Sequence, residues 1–497
     1  MLDRVAAALA GAGKSGLVLA GPDGVGKTLV ARAASERFAA AQPSAVIRWV
    51  VATATERIVP FGAFGQLLEI PDTAETGRPA QLLRTALDAL TGDAGELLFV
   101  VDDAHQLDHL SATLLYQLAL SRSARLIVTV CVDDEVPDAV AALWTDELLT
   151  RIEVEPLDRA ATAALLESAL GVPLDAAVTD EVFGRSQGNP LYLRHLVQGG
   201  DLENCLTLPA LIDAYLSGLP SPVRTVLDLL AVAEPLSRND LAALAGHDAV
   251  DDAESVGAVA SDERAMVYPA HPLHTGRARA ALASDSARAL RTSLVQQLAG
   301  RPAEHLGDQL RRSALAVGSD DPGAVADVVT AAEHALRLGE LELAEQLGRA
   351  ALDRSGGLAA RVSLAYALAW QGRGREAGAA LAEVDPEQLS QPELIAWTLP
   401  RAANQFWMLS EPERATAFLQ TMRGRISSPT ALCTVDALAA TFAMNAGTPL
   451  RALRIADEVL ASPHADQVAV GWAASTAALS SARTGRFDDV EALARRA

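Results

Sequence analysis

The residues whose types and spacing can do chemistry begin with Gly21-Pro22-Asp23-Gly24-Val25-Gly26-Lys27-Thr28, a run of the form G-x-x-x-x-G-K-[ST]. Gly21, Gly24 and Gly26 let the main chain curl so that successive N–H groups and the positive end of a following helix face phosphate oxygens. Lys27 would reach the outer phosphates, and the Thr28 hydroxyl would ligate Mg²⁺. Val25 and Leu29 complete the stretch expected to contact nucleotide. Lysine occurs only at Lys14 and Lys27, so a chance match is expected about once in a thousand chains of this composition. A second run, Leu97-Leu98-Phe99-Val100-Val101-Asp102-Asp103, is apolar over the length of a strand and ends in two carboxylates. Asp102 is expected to hold Mg²⁺ through water. Asp103 is expected to orient or deprotonate an attacking water, although an acid in this place also serves as a helix N-cap.

These groups need a scaffold, and the chain up to about residue 155 supplies its pattern. Short apolar runs at Leu17 to Ala20, Ala45 to Ile47, Leu97 to Val101, Leu126 to Val130 and Arg151 to Val154 alternate with helical periodicity, as in a parallel sheet covered on both faces by helices. The glycine run then falls between the first strand and a helix starting near Thr28. From Leu157 onward strand-like runs nearly vanish, apart from a candidate hairpin around Ala265 to Tyr268. The expected fold is an α/β P-loop domain over 1–155, short helices over 156–208, a compact, mostly helical domain over 209–318 and a TPR-like α-solenoid over 319–497. Pro220, Pro222 and Gly318 to Pro322 are the expected joints. The solenoid rests on small turn residues recurring at Gly339, Gly372, Ser410, Gly447 and Gly485, a period near that of tetratricopeptide-type helical hairpins. The array reads as interrupted at Ala497.

Composition narrows the function. Lys+Arg 41 against Asp+Glu 63 gives a net charge of -22, which repels polyanions and anionic lipid. Arg277/Arg279, Arg311/Arg312 and Arg423/Arg425 are scattered pairs that read as solvated faces, so direct DNA binding is not expected. Cys131, Cys205 and Cys433 have neither metal-ligand nor disulfide spacing, and no apolar run approaches membrane-spanning length; a cytoplasmic protein is expected. Hydrophobic residues make up 50% and aromatics only 4%, so the apolar mass is mostly small residues suited to closely packed helices.

Beyond these two runs, the chain resembles the STAND class of P-loop switch ATPases, and within it the large LuxR-type ATP-binding transcriptional regulators. The resemblance rests on Val59-Pro60-Phe61-Gly62-Ala63-Phe64-Gly65-Gln66-Leu67-Leu68, on Val101-Asp102-Asp103-Ala104-His105-Gln106-Leu107-Asp108, and on Gly188-Asn189-Pro190-Leu191-Tyr192-Leu193. It implies that the two middle segments are a helical lid over 156–208 and a winged-helix-like domain over 209–318, and that Pro190 packs against adenine in that lid. It also implies that His271, in His271-Pro272-Leu273, is a winged-helix histidine reaching the β-phosphate. Cys131 stands where the family carries an arginine that senses the γ-phosphate, and a thiol cannot donate a charge-assisted hydrogen bond in its place. The chain opens at Met1-Leu2-Asp3-Arg4, inside the helix that follows the family's adenine-contacting segment. Family members also carry a C-terminal helix-turn-helix, so DNA contact is implied only through a domain absent from these residues.

The expected function is a switch binding ATP or ADP with Mg²⁺, in which the nucleotide controls domain packing and the repeats sense an inducer or protein partner. Slow ATP hydrolysis is the most it would catalyse, and homo-oligomers are compatible with it. An AAA+-like remodelling ATPase and a helical-repeat scaffold with an inert nucleotide fold are the alternatives.

Overall fold

The computed structural model describes residues 1–11, 13–68, 79–92, 96–199, 207–301 and 305–497; Cys205 lies outside them. The chain divides into two compact units, Met1–Gly323 with Arg337–Glu340, and Ala324–Leu336 with Leu341–Ala497.

The first unit opens with α1 (Leu2–Ala10), β1 (Gly16–Gly21), α2 (Lys27–Ala41), β2 (Val46–Val51), α3 (Pro79–Thr91), β3 (Leu97–Asp102), α4 (His109–Ser121), β4 (Arg125–Cys131), α5 (Asp138–Thr145) and β5 (Thr150–Glu153). The five strands form one parallel sheet in the order β2-β3-β4-β1-β5. Every residue of β1 and β3 is buried, because helices cover both faces and no strand position can be polar towards solvent. Leu17, Leu19, Leu98, Val100 and Ile127 pack with Val5, Leu9 and Ala31 of the helices into one core. In this order β1 lies between β4 and β5 and next but one to β3. The loop after β1 and the acids ending β3 therefore open at the same carboxyl edge, where such sheets bind ligands.

Three helices follow, α6 (Arg159–Leu170), α7 (Ala176–Ser186) and α8 (Pro190–Gly199), with a core around Leu166, Val182 and Leu193 that Leu211 also joins. Next come α9 (Leu208–Gly218), α10 (Ser221–Ala233), β6 (Leu236–Ser237), α11 (Arg238–Ala245), α12 (His247–Ser255), β7 (Val259–Ser261), β8 (Met266–Pro269), α13 (Pro272–Ala281), α14 (Ser284–Ala299) and α15 (Leu306–Val317). The expected hairpin is β7 and β8, and β6 adds a third antiparallel strand, giving the order helix, strand, two helices and hairpin. Pro220 and Pro222 begin α10 rather than a new unit, and Leu219, Val223 and Leu227 share one core with Leu294.

The second unit is helical throughout: α16 (Val325–Leu338), α17 (Leu341–Asp353), α18 (Gly357–Trp370), α19 (Gly374–Ala382), α20 (Gln391–Ala403), α21 (Pro412–Arg423), α22 (Pro429–Asn445), α23 (Pro449–Ala461), α24 (Gln467–Arg483) and α25 (Val490–Arg496). They pair in sequence as TPR-like hairpins. Each pair turns on a residue with positive φ, at Gly339 (84°), Gly372 (79°), Ser410 (56°), Gly447 (80°) and Gly485 (79°). The small residues read as a period are thus the left-handed corners between paired helices, where a Cβ is disfavoured. Alanines such as Ala437, Ala440, Ala456, Ala473 and Ala477 are almost wholly buried and let neighbouring helices approach closely.

Candidate nucleotide site

The loop between β1 and α2 is shaped by more than the need to admit phosphate. A Cβ on Gly21 would lie 2.4 Å from the Val154 carbonyl oxygen, and one on Gly24 would lie 2.7 Å from both Asn189 Oδ1 and Leu191 Cβ. These two glycines are demanded by packing against protein. Gly26, at φ 96°, has only Leu29 Cδ1 near its absent Cβ, at 4.0 Å, so it is the position with open space beside it. Val25 is buried in the sheet core, whereas Leu29 is 70% exposed on the first turn of α2.

Lys27 is buried, and its ammonium donates to the carbonyls of Gly21 at 3.0 Å and Pro22 at 2.9 Å. No carboxylate among the described residues pairs with it. A buried cation held only by carbonyls, beside a glycine with free space, fits a polyanion such as a nucleotide's phosphates. The Thr28 hydroxyl donates to Asp102 Oδ1 at 3.1 Å, joining the hydroxyl and carboxylate that suit a hard, oxygen-seeking cation such as Mg²⁺.

Asp102 and Asp103 are both buried, and desolvation raises the proton affinity of each in the absence of a cation. Thr129 holds the pair: its hydroxyl donates to Asp102 Oδ1 at 2.6 Å and accepts the Asp103 N–H at 2.8 Å. Thr129 belongs to none of the sequence motifs; its signal is a hydroxyl inside the apolar run Leu126 to Val130. Asp103 has left-handed backbone (φ 54°), and its side chain makes no capping hydrogen bond. Asp108 does cap α4, and it also accepts the main-chain N–H groups of Phe61 at 3.0 Å and Gly62 at 3.2 Å. The two segments read separately in the sequence are thereby fastened together at one carboxylate.

Cys131 ends β4, fully buried, with its thiol pushed up to about 12 by desolvation. Its N–H donates to His105 Nδ1 at 3.3 Å, which leaves His105 Nε2 to donate to Asp134 at 3.2 Å. The Asp23, Cys131 and Asp134 ligand atoms lie within 4.8 Å of one another, so this rim carries negative rather than guanidinium character.

Helix α8 is joined to the loop by the Asn189 side chain and by the Leu191 main chain. Asn189 Nδ2 donates to the Asp23 carbonyl at 2.7 Å, its Oδ1 accepts the N–H groups of Leu191 (3.0 Å) and Tyr192 (3.1 Å), and the Leu191 N–H donates to Gly24 O at 3.1 Å. Pro190 is the first residue of that helix, partly exposed. His271 caps α13, with Nδ1 accepting from Leu273 N at 3.1 Å. Burial lowers its pKa to about 4, with Asp23 and Lys27 both acting on it electrostatically. Behind it His195 of α8 and His274 of α13 meet Nε2 to Nε2 at 3.2 Å; burial holds them near 4 and 3, so at neutral pH one imidazole donates and the other accepts.

A second contact links the segment from α10 to α15 to the sheet domain. The hydroxyls of Thr53, at 3.1 Å, and Thr55 donate to the Glu234 carbonyl, and Arg311 Nη1 lies 3.9 Å from Glu56 Oε1. Burial pushes Glu56 up to about 8, against the pull of Arg311 and Thr53.

Fold and site together define a P-loop NTPase fold with a nucleotide-binding loop. Residues 11–137 match the family model of an AAA domain. Among solved structures, the chain is similar to a Signal Transduction ATPase with Numerous Domains (STAND) protein with a tetratricopeptide repeat sensor from Pyrococcus horikoshii, at 12% identity and TM-score 0.47, covering 100% of this chain and 83% of that one. It is also similar to Cdc6p from Pyrobaculum aerophilum, at 15% identity, TM-score 0.27, and 57% and 88% coverage. A RuvB variant from Thermotoga maritima matches at 16% identity, TM-score 0.27, and 54% and 90% coverage. No curated protein matches the chain. No helix among the described residues is long and apolar enough to cross a membrane.

Proposed function

We propose that this chain is a nucleotide-dependent switch of STAND type, the ATP- or ADP-binding part of a LuxR-type transcriptional regulator. Its first unit would comprise a P-loop module over 1–155, a lid over 156–208 and a winged-helix module over 209–318, followed by repeats that sense an inducer or protein partner. The observation that carries this reading is the Asn189 clamp. It fastens the lid helix to the phosphate loop at the Asp23 carbonyl, beside the bond from the Leu191 N–H to Gly24 O, so a ligand held by the loop bears directly on the lid.

In this reading the N–H groups of Gly24, Val25 and Gly26 and the ammonium of Lys27 bind the phosphates. Thr28 and Asp102 hold Mg²⁺, which would supply charge neutralisation when bound. Leu29 and Pro190 flank the base, and His271, neutral at pH 7 with Nδ1 accepting from Leu273, donates one hydrogen bond from Nε2 towards the β-phosphate. Asp103 orients water. With Cys131 in place of a guanidinium, hydrolysis is slow, as a switch requires. The closed arrangement is favoured by whichever nucleotide the lid and winged-helix module contact more, and a few kcal/mol of differential affinity inverts such a balance.

Limited proteolysis of the protein loaded with ADP or ATP and Mg²⁺ tests it. The two digests are expected to differ at the segments flanking α8 and α13. Identical digests from two demonstrably loaded samples would sink the switch while leaving nucleotide binding intact.

A further inference from the structure

We propose a second anion site at the opposite edge of the parallel sheet: a cleft in which Lys14, Arg122 and Arg125 receive a small multivalent oxyanion of the phosphate class. The cleft encloses about 290 Å³, lined by these cations with Ser15, Ser123 and Glu96 among others. It lies where β1, β3 and β4 begin, whereas the glycine loop, Asp102 and Cys131 lie where the same strands end. Six residues of strand separate the two edges by roughly 20 Å, so one small ligand cannot serve both.

Charge makes the cleft unusual in this protein. Three of its eight lining residues are cationic, in a chain with 41 Lys+Arg against 63 Asp+Glu, and one of them is one of only two lysines. Many arginines elsewhere pair with carboxylates, as Arg277 does with Asp213 and Arg373 with Glu345. No such pair within 4 Å is formed by Lys14, Arg122 or Arg125 among the described residues. The guanidiniums are instead fixed by main-chain carbonyls: Arg122 Nη2 donates to Gly13 O at 3.2 Å, and Arg125 Nη1 to Gly11 O at 3.1 Å and Lys14 O at 2.8 Å.

Those bonds position the charges without neutralising them and leave most of the five donors of each guanidinium free. Glu96, exposed at the rim, reduces the net charge of the lining to +2, which matches a multivalent anion better than a monovalent one. The volume suits a pyrophosphate-sized ion or a small phosphorylated molecule, not a polymer strand.

The test is calorimetric titration of inorganic pyrophosphate, without Mg²⁺, into the full chain carrying Lys27→Ala to silence the glycine loop. Wild-type protein saturated with ADP serves as the background where that variant folds poorly. One-site binding is expected, weakened about tenfold or more by Lys14→Glu and strengthened about twofold by Glu96→Gln. Arg125→Gln removes the bonds to the Gly11 and Lys14 carbonyls and can perturb the fold. Lys14→Glu, whose side chain takes no part in those bonds, therefore decides. No binding in either background, or an affinity indifferent to Lys14→Glu, overturns the site. Citrate binding as tightly as pyrophosphate overturns its phosphate character.

Discussion

Thr129 aims both acids at the end of β3, donating to Asp102 while accepting from the Asp103 main chain. Thr129→Val keeps shape and burial but leaves Asp102 with one hydroxyl partner fewer. Mg²⁺-dependent nucleotide affinity should fall about tenfold with little change in Mg²⁺-free affinity, measured by titration with and without the metal. Asp108 carries a structural load instead. Its buried carboxylate accepts from Phe61, Gly62 and Ser111, and Asp108→Ala strands those donors, so a loss of about 2–4 kcal/mol is expected in denaturant unfolding. The glycine run, Asp102 and Asp103 were legible because phosphate chemistry restricts both residue type and spacing. Asp108 and Asn189 were legible only as parts of a resemblance, because what each side chain bonds is set by segments distant in sequence.

Among the elements, α8 is the one whose attachment bears on function. Asn189→Ala removes both its N-cap and its side-chain bond to the loop, leaving the Leu191 N–H bond to Gly24, and bound nucleotide should dissociate about tenfold faster in a stopped-flow chase, while the sheet domain keeps its fold. In the repeats, Ser410 occupies a left-handed corner that the other four hairpins fill with glycine. Ser410→Gly should therefore raise the melting temperature of the repeat unit, by about 0.5–1 kcal/mol of stability; a decrease would show that the Ser410 side chain matters more than its backbone strain. The hairpin period could be read because each corner requires a small residue. The strand Leu236–Ser237 could not, since two residues carry no periodicity and their pairing with Val267 and Met266 is tertiary.

Across the first unit as a whole, pH should act through Glu56. Its folded pKa of about 8 exceeds the ordinary 4.5, so the folded state retains a proton that the unfolded chain releases. Its contribution is fully present below about pH 4.5 and is lost as pH rises through about 8. Arg311, Glu234, Asp108 and Tyr268 are the charged or titratable groups that bear on it. Unfolding measured between about pH 6 and about pH 9 should show stability falling in wild type and a flatter profile in Glu56→Gln. Equal slopes would exclude Glu56 as the source. This contact was invisible in sequence, because Glu56 and Arg311 are 255 positions apart and neither belongs to a motif.

The central claim is that the loop around Lys27 binds an adenine nucleotide whose phosphates the lid senses. Isothermal calorimetry with ADP and ATP in Mg²⁺, on wild type and Lys27→Ala, tests it most directly. The account predicts saturable heat for wild type, a different affinity for the two nucleotides, and at least about a hundredfold loss in Lys27→Ala. No heat from wild-type protein freed of any bound nucleotide, or binding that survives Lys27→Ala undiminished, would contradict it.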